Sequence, residues 1–264
     1  MSVTLNEHVY GITGTGKLVI TGHVIETEVD LFPVGGKIFY INPSSQEQVE
    51  FFDQYGDPLT DVGVGSTPYA YRIVHADPDG IDKYYVYYDT LYTSKIWAPS
   101  AYQSTQIGGT SQSVGKGRAN TQICMAYADG AMVASGTGWA QIKAMNDNKY
   151  GGCDDWFLPS RGEVEELRKA ITFQVVTTSD DPVILPAGPV TGGSIAGVAD
   201  GNAHYRDYNT TRTCYPSATK FIDNYIWSSS EYSATHAWGW NCSTQGWYGD
   251  TKSRGLCVVG VRAF

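Results

Sequence analysis

Along residues 17–32 apolar and polar side chains alternate with a period of two, the spacing of a half-buried β-strand, and Pro33 ends the run. Residues 1–33 therefore read as strands. They form either an arm that pairs with another subunit or a larger assembly, or the first hairpin of the main domain. The absence of an obvious continuation into the Gly35-Gly36 turn favours the arm. Strand patterns follow at 37–43, 69–75 and 83–89, and the Asp77-Pro-Asp-Gly80 sequence between the last two predicts a hairpin turn. The period then changes to 3.6. One helix is predicted over 119–132, with Asn120 as its cap and a continuation at 138–145. A second helix starts at the capping box Ser160-x-x-Glu163, ahead of an apolar stripe at Val164, Leu167, Ala170 and Ile171. Glu163, Glu165 and Glu166 then fall where a helix N-terminus favours carboxylates, on a solvated face, and acid/base catalysis is not expected of them. Residues 172–222 are rich in Gly, Thr, Ser and Pro and exceed an ordinary connection, so they read as a long loop on a functional face, with His204, Tyr205, Arg206 and Tyr208 as a candidate rim.

The segment 227–264 differs from everything before it. It holds four of the seven tryptophans (Trp227, Trp238, Trp240, Trp247), interleaved with Ser, Thr, Asn, Gly and Tyr, and it ends as an apolar strand. Rigid aromatics with adaptable small polar residues make up the composition of binding faces. Aromatic-rich strands also build cores, and composition leaves both readings open. Across the 264 residues, 30 glycines, 19 tyrosines and only 17% charged residues favour β structure and long loops over helical bundles, so the expected class is α+β.

Charge and cysteine usage narrow the function. A net charge of −9 speaks against a phosphate-backbone partner, so no nucleic acid is expected. The first twenty residues lack a basic region followed by an apolar run, and no stretch approaches 18 uninterrupted apolar residues, so neither a secretory signal nor membrane insertion is expected. Cys124, Cys153, Cys214, Cys242 and Cys257 show no C-x-x-C spacing, which removes zinc and thioredoxin-type motifs; buried reduced thiols are the simplest account. Asp77, Asp79 and Asp82 lack the ligand spacing of a calcium loop. No metal or cofactor is expected.

Several stretches taken together resemble a known family: Gly151-Gly-x-x-Asp-Trp-Phe-Leu-Pro-Ser-Arg-Gly-Glu-Val-Glu-Glu-Leu167, Trp227-Ser-Ser-Ser-Glu-Tyr232, Ala237-Trp238 and the terminal Val-Arg-Ala-Phe264. They are similar to the C-type-lectin-like domain at the C-terminus of Lcl-type collagen-like adhesins, distantly related to formylglycine-generating enzymes. Gly35-Gly-Lys-Ile-Phe-Tyr40 resembles the opening strand, so the likeness covers roughly 34–264. It implies a C-type-lectin-like fold with two helices packed on small antiparallel sheets and long loops, preceded by a β-rich N-terminal arm (1–33), with an insertion near 172–222 and a variable segment near 227–264. The ending is similar to the variable proteins of diversity-generating retroelements, in which adenine-directed mutagenesis rewrites Asn-type codons. Lys252 occupies the place of a Lys flanked by Asn runs in unmutated endings; here Tyr248-Gly-Asp-Thr251 and Ser253-Arg-Gly-Leu256 flank it, all reachable from adenine-containing codons, whereas tryptophan codons carry no adenine. Cys257, Val259 and Cys242 depart from the usual Arg, Arg and Phe. The Glu-Pro-Asn or Gln-Pro-Asp and Trp-Asn-Asp sequences of calcium-dependent sugar binding do not occur.

The resemblance implies a receptor-binding protein, not an enzyme, whose ligand-binding patch is drawn from His236, Gly239, Trp240, Asn241, Ser243, Gln245, Trp247, Tyr248, Asp250, Ser253 and Arg254. Alternation places Trp238, Trp240 and Cys242 on one side of a strand and Gly239, Asn241 and Ser243 on the other. Family habit favours Trp238 inward. The expected partner is a protein or glycan receptor on a target cell, met by a homo-oligomer, with a trimer expected for a fibre tip. The expected location is a phage tail-fibre tip in the virion, or else the cell surface as an adhesin. Competing readings are a fixed glycan-binding adhesin, a structural virion protein, and a copper-dependent oxidase using Cys242 and Cys257 as a thiolate pair.

Overall fold

The computed structural model describes residues 2–5, 8–12, 17–21, 26–88, 90, 92–170, 172–177, 182–184, 210–215, 225–241 and 246–264. Contacts divide the chain into two units. The first comprises Met1–Tyr88, Lys149–Asp154 and Ala263–Phe264, and the second comprises Asp89–Asn148 and Asp155–Arg262. Three described α-helices and several mainly antiparallel sheets make the protein α+β.

In the first unit β1 (Ser2–Leu5), β2 (His8–Ile12), β3 (Lys17–Thr21) and β4 (Glu26–Leu31) form an antiparallel meander. With β6 (Gln48–Phe52), β7 (Pro58–Leu59) and β8 (Ala70–His75) they make one sheet in the order β1-β2-β3-β4-β8-β6-β7. The link is the pairing of Asp30 with Tyr71 and of Leu31 with Ala70. The boundary drawn at residue 33 therefore does not coincide with the division by contacts, which falls after Tyr88. Two further strands, β5 (Gly36–Ile41) and β9 (Tyr84–Tyr88), pair with each other.

The predicted hairpin at 77–80 does not form. Its turn does: Gly80 N donates to Asp77 O at 3.0 Å, Asp79 N to Asp77 Oδ1 at 2.8 Å and Gln46 N to Asp77 Oδ2 at 2.5 Å. Yet β8 pairs with β6 and β4, while β9 pairs with β5. Turn chemistry acts locally, whereas strand partners follow the core. That core joins Phe32, Ile38, Phe51, Tyr71, Val86 and Phe264. Phe264 stacks on Tyr71 with ring centroids 4.0 Å apart, and its carbonyl accepts from Lys83 N and Tyr84 N at 3.0 and 2.8 Å.

The second unit opens with β10 (Tyr92–Lys95) and carries α1 (Gly117–Ala126), α2 (Gly138–Asp147) and α3 (Arg161–Ala170). The single helix expected over 119–145 is two. Ala128, Asp129 and Gly130 all take positive φ (50°, 55° and 85°), which ends α1's course, and Thr137 caps α2 by accepting from Ala140 N at 3.1 Å. Asn120 is not a cap but lies inside α1, 1% exposed. The α3 start is as expected: Ser160 N donates to Glu163 Oε2 at 2.7 Å and Glu163 N to Ser160 Oγ at 3.2 Å, the reciprocal capping box. Val164 and Leu167 are buried, as the stripe required, but Glu163 is buried too and not on a solvated face.

The stretch 172–222 holds β11 (Thr172–Thr177), β12 (Pro182–Ile184) and β13 (Thr210–Tyr215), a three-stranded antiparallel sheet where a loop was expected. His204, Tyr205, Arg206 and Tyr208 lie outside the described residues. The terminal segment supplies β14 (Tyr225–Glu231), β15 (His236–Asn241), β16 (Gly246–Thr251) and β17 (Leu256–Val258), joined with β10 in the order β10-β17-β14-β15-β16, and then β18 (Val261–Ala263). Trp97, Trp139, Trp156 and Trp227 fill this unit's core. Their burial is affordable because indole N–H groups find acceptors: Trp97 Nε1 donates to Ser228 O (3.0 Å), Trp139 Nε1 to Trp97 O (2.6 Å) and Trp227 Nε1 to Lys95 O (2.7 Å).

Candidate functional site

The site is built on the hairpin of β15 and β16, and its first requirement is a fixed frame. Ser228, Ser229 and Ser230 are fully buried, in the part of β14 where its register with β15 shifts. Buried hydroxyls need partners. Ser228 Oγ donates to Trp238 O (2.9 Å), Ser230 Oγ donates to Ser111 O (2.7 Å) and Asn120 Nδ2 donates to Ser229 Oγ (3.1 Å). Arg161 N, at the start of α3, donates to Ser230 Oγ at 3.0 Å. Below it, Glu163 Oε1 accepts from Gly115 N and Gly117 N at 2.9 and 3.1 Å. Burial pushes the Glu163 carboxyl up to about 7, against the opposing pull of these backbone donors. A Cβ on Gly117 would stand 2.1 Å from Glu163 Oε2, so only glycine fits there.

The second requirement is an anchor for the turn after β16. Lys252 is fully buried, and its Nζ donates to Glu231 Oε1 (2.5 Å), Thr105 O (2.7 Å) and Ala234 O (2.8 Å) while lying 4.9 Å from the centre of the Trp97 ring. Glu231 in turn accepts from Ile107 N (2.9 Å) and Gly108 N (3.0 Å). One inward lysine thus ties together the turns at 105–108, 232–236 and 251–254. Its neighbours Thr251, Ser253 and Arg254 are exposed.

Register decides what the hairpin shows. Trp238 pairs with Gly249, Gly239 with Tyr248 and Trp240 with Trp247, and directly opposed residues share a face. On one face Gly239 leaves room for Leu256 and Trp227; a Cβ there would lie 2.9 Å from Leu256 Cδ1. On the other, Trp238, Trp240 and Trp247 meet α3. Arg161 lies 4.1 Å from the Trp238 ring centre and 5.1 Å from that of Trp247, Arg168 lies 5.3 Å from that of Trp240, and Trp247 Nε1 donates to Glu165 Oε2 at 3.2 Å.

The expected alternation of sides is present, but the expectation of Trp238 inward with Gly239 and Asn241 facing ligand is reversed. Ala237, Gly239 and Asn241 turn to the core and are buried, and Trp238 sits half-buried against Arg161. Trp240 is buried as well, at 5% exposure. The reason is packing on both sides of the sheet: Leu256 and Trp227 lie against the Gly239 face of β15, and Arg161 and Arg168 of α3 lie against its Trp238 and Trp240 face. Exposure moves instead to the edge strand β16 and the turns at its end. Tyr248 is 44% exposed beside Tyr225, and Arg254 packs over the Tyr225 ring at 4.4 Å while donating to both oxygens of Asp250 (3.1 and 3.0 Å). That contact pushes the Arg254 guanidinium further up. Half-buried His236 shares Nδ1 with Thr235 Oγ1 at 2.7 Å.

Of the residues expected in the patch, the structure therefore places Tyr248 and Asp250 on the Gly239 face of the edge strand β16 with Arg254 beside them, His236 and half-buried Trp247 on the Trp238 face, Ser253 in the turn that follows β16, and Gly239, Trp240 and Asn241 inside. Ser243 and Gln245 lie outside the described residues. The Trp238 face also carries Tyr232, 56% exposed, and Arg161 of α3; both stand within the sequence stretches singled out above but had no period-two pattern to mark them. Among the described residues no group of three or more His, Cys, Asp or Glu side chains is placed to hold a metal ion, and no helix is long and apolar enough to cross a membrane. Cys257 forms no disulfide, and burial pushes its thiol up to about 11; Cys242 lies outside the described residues. Comparison with protein-family models, curated proteins and solved structures returns no match.

Proposed function

We propose that the chain is a target-binding protein, carrying on a C-type-lectin-like scaffold a recognition rim that follows the edge strand β16 and its turns, with Tyr248, Asp250 and Arg254 on one side, His236 and Tyr232 on the other, and Ser253 in the turn that follows the strand. The observation that carries this reading is the separation of roles within one turn: Lys252 is fully buried while Thr251, Ser253 and Arg254 on either side are exposed. Such a turn tolerates change at its surface without losing its anchor, which is what a segment rewritten by a diversity-generating retroelement requires. Exposed tyrosines and an arginine held by an aspartate supply the side-chain chemistry of contact hot spots. A receptor on a target cell, protein or glycan, is the proposed partner, and a phage tail-fibre tip or a bacterial surface is the proposed setting, with multivalent display raising a modest affinity per site. The copper-oxidase alternative loses support from Cys257, whose burial favours the thiol over the thiolate that Cu(I) binding needs.

Two measurements test the reading. Capture of target cells by the full chain should be lost in the Tyr248→Ala/Arg254→Ala double variant with an unchanged melting temperature; equal capture by the variant refutes the assignment of the rim. Sequencing the DNA around the gene should reveal a second, imperfect copy of the region encoding 227–264, differing at adenines. If there is no such copy, the rim belongs to a fixed adhesin.

A further inference from the structure

Among the described residues, Arg161 is the cation of the aromatic cluster that has no anionic counterpart. Its guanidinium lies between the rings of Trp238 and Trp247, 4.1 and 5.1 Å from their centres, and its side chain donates to the neutral Gln112 Oε1 at 2.5 Å. Arg168 and Arg254, by contrast, are each paired with a carboxylate, Glu165 and Asp250. Beside it stands a second unmet group. Trp238 Nε1 is buried and has no hydrogen-bond acceptor among the described residues, whereas the indole N–H groups of Trp97, Trp139, Trp227 and Trp247 all have one. A buried donor left unmade costs about 1–3 kcal/mol in general, so an acceptor supplied from outside gains what the fold forgoes. The neighbour of Trp238 on the solvent side is Tyr232, edge-on at 4.6 Å and 56% exposed, a surface side chain able to turn aside.

We infer that this cluster is an acid subsite of the recognition rim, and that the target it takes is a sugar acid displayed on a cell-surface glycan. The inference rests on the target-binding reading above. A guanidinium stacked on aromatic faces remains a fork of donors matched to one carboxylate. The flat faces of Tyr232 and Trp238 suit the C–H face of a pyranose ring, and the N–H of Trp238 suits an acceptor on the same ring. An acidic protein segment matches the chemistry of Arg161 less well. The chain carries a net charge of −9, and the neighbouring arginines Arg168 and Arg254 are already paired with carboxylates, so a run of several carboxylates is repelled more strongly than a single one.

The test uses the full chain and three pairs of methyl glycosides, the glucuronide, galacturonide and N-acetylneuraminide, each beside its neutral counterpart, with a hexaglutamate peptide as the protein-type probe, followed by tryptophan fluorescence and calorimetry. At least one acidic glycoside should bind about tenfold or more tightly than its neutral partner, the gain expected of a charge-assisted hydrogen bond. Arg161→Ala should remove that preference. Because Arg161 also packs, Arg161→Lys serves as a second variant: it keeps the charge, and it should retain the preference for acid at several-fold lower affinity. Trp238→Phe should weaken binding with no fall in melting temperature, a combination that a structural tryptophan would not give. Equal binding of acidic and neutral glycosides, no binding of either, or binding of the peptide alone overturns the inference. Cell capture run alongside separates the two levels: capture that persists while all glycosides fail refutes the acid subsite and leaves the target-binding reading standing, and absent capture refutes that reading itself.

Discussion

Replacing Lys252 with Met removes the anchor of the terminal turn and keeps its volume. The lysine is fully buried, and Glu231 is 4% exposed. Without its partner, Glu231 stays behind as a buried charge supported only by the N–H groups of Ile107 and Gly108, and the carbonyls of Thr105 and Ala234 each lose a donor. Breaking a buried pair from one side costs about 3–5 kcal/mol, because desolvation of the survivor is no longer offset. For a unit of this size each kcal/mol lowers the melting temperature by roughly 2–4 °C, so Lys252→Met should melt about 6–20 °C earlier. The double variant Lys252→Met/Glu231→Gln leaves no charge behind, and its one amide oxygen still accepts from Ile107 N or Gly108 N, which in the parent meet the two separate carboxylate oxygens. It should therefore recover a large part of the loss, giving a coupling energy above about 1 kcal/mol in a double-mutant cycle followed by circular dichroism and urea unfolding. Strict additivity of the two substitutions, or a Lys252→Met melt within 2 °C or so of the parent, would falsify the picture of a desolvated pair holding three turns.

Glu163 gives a pH signature. Its carboxyl titrates near about 7 in the fold against 4.5 in the open chain, so its contribution is fully present below 4.5 and lost as pH rises through about 7, a span worth roughly 3 kcal/mol. Glu163→Gln should flatten the fall of melting temperature between pH 5 and pH 8; parallel profiles for the two proteins would contradict this. Gly117→Ala drives a methyl group to within 2.1 Å of Glu163 Oε2 and 2.8 Å of the Phe157 ring, and should cost about 1–3 kcal/mol or more in urea unfolding. Burial pushes the thiols of both Cys124 and Cys257 up, whereas Cys153 is partly exposed. Iodoacetamide at pH 8 should thus modify Cys153 in the native protein and reach Cys124 and Cys257 only on unfolding, as read by mass spectrometry; labelling of Cys257 at the rate of Cys153 would count against its burial.

What the sequence disclosed depended on how far apart the interacting residues stand. The Ser160–Glu163 capping box was legible because both partners lie within one turn of helix. The 77–80 turn was legible for the same reason, but not the destination of its flanking strands, which is decided by Phe51, Tyr71 and Phe264 across the whole chain. Alternation in β15 was read correctly as a period, yet the period cannot report that α3 packs on one face of the strand and Leu256 and Trp227 on the other, so Gly239, Trp240 and Asn241 proved buried. Lys252 carried no sign of burial, because its carboxylate stands 21 residues away and its third partner 147. Arg161 and Tyr232 were missed because they reach the rim from outside the terminal strands.

The serine tract of β14 bears on how the protein chooses among nearby arrangements of itself. Apolar side chains accept many neighbours, so a strand held by grease alone can slide by a residue or two at small cost. Ser228, Ser229 and Ser230 cannot slide, because each has a named correspondent: Trp238 O, Asn120 Nδ2 and Ser111 O. A displaced strand would leave three buried hydroxyls unanswered together, an error signal far larger than any single contact. Misaligned chains are thereby rejected by polar grammar in the interior, and the outermost residues of the hairpin are released from any duty to specify alignment.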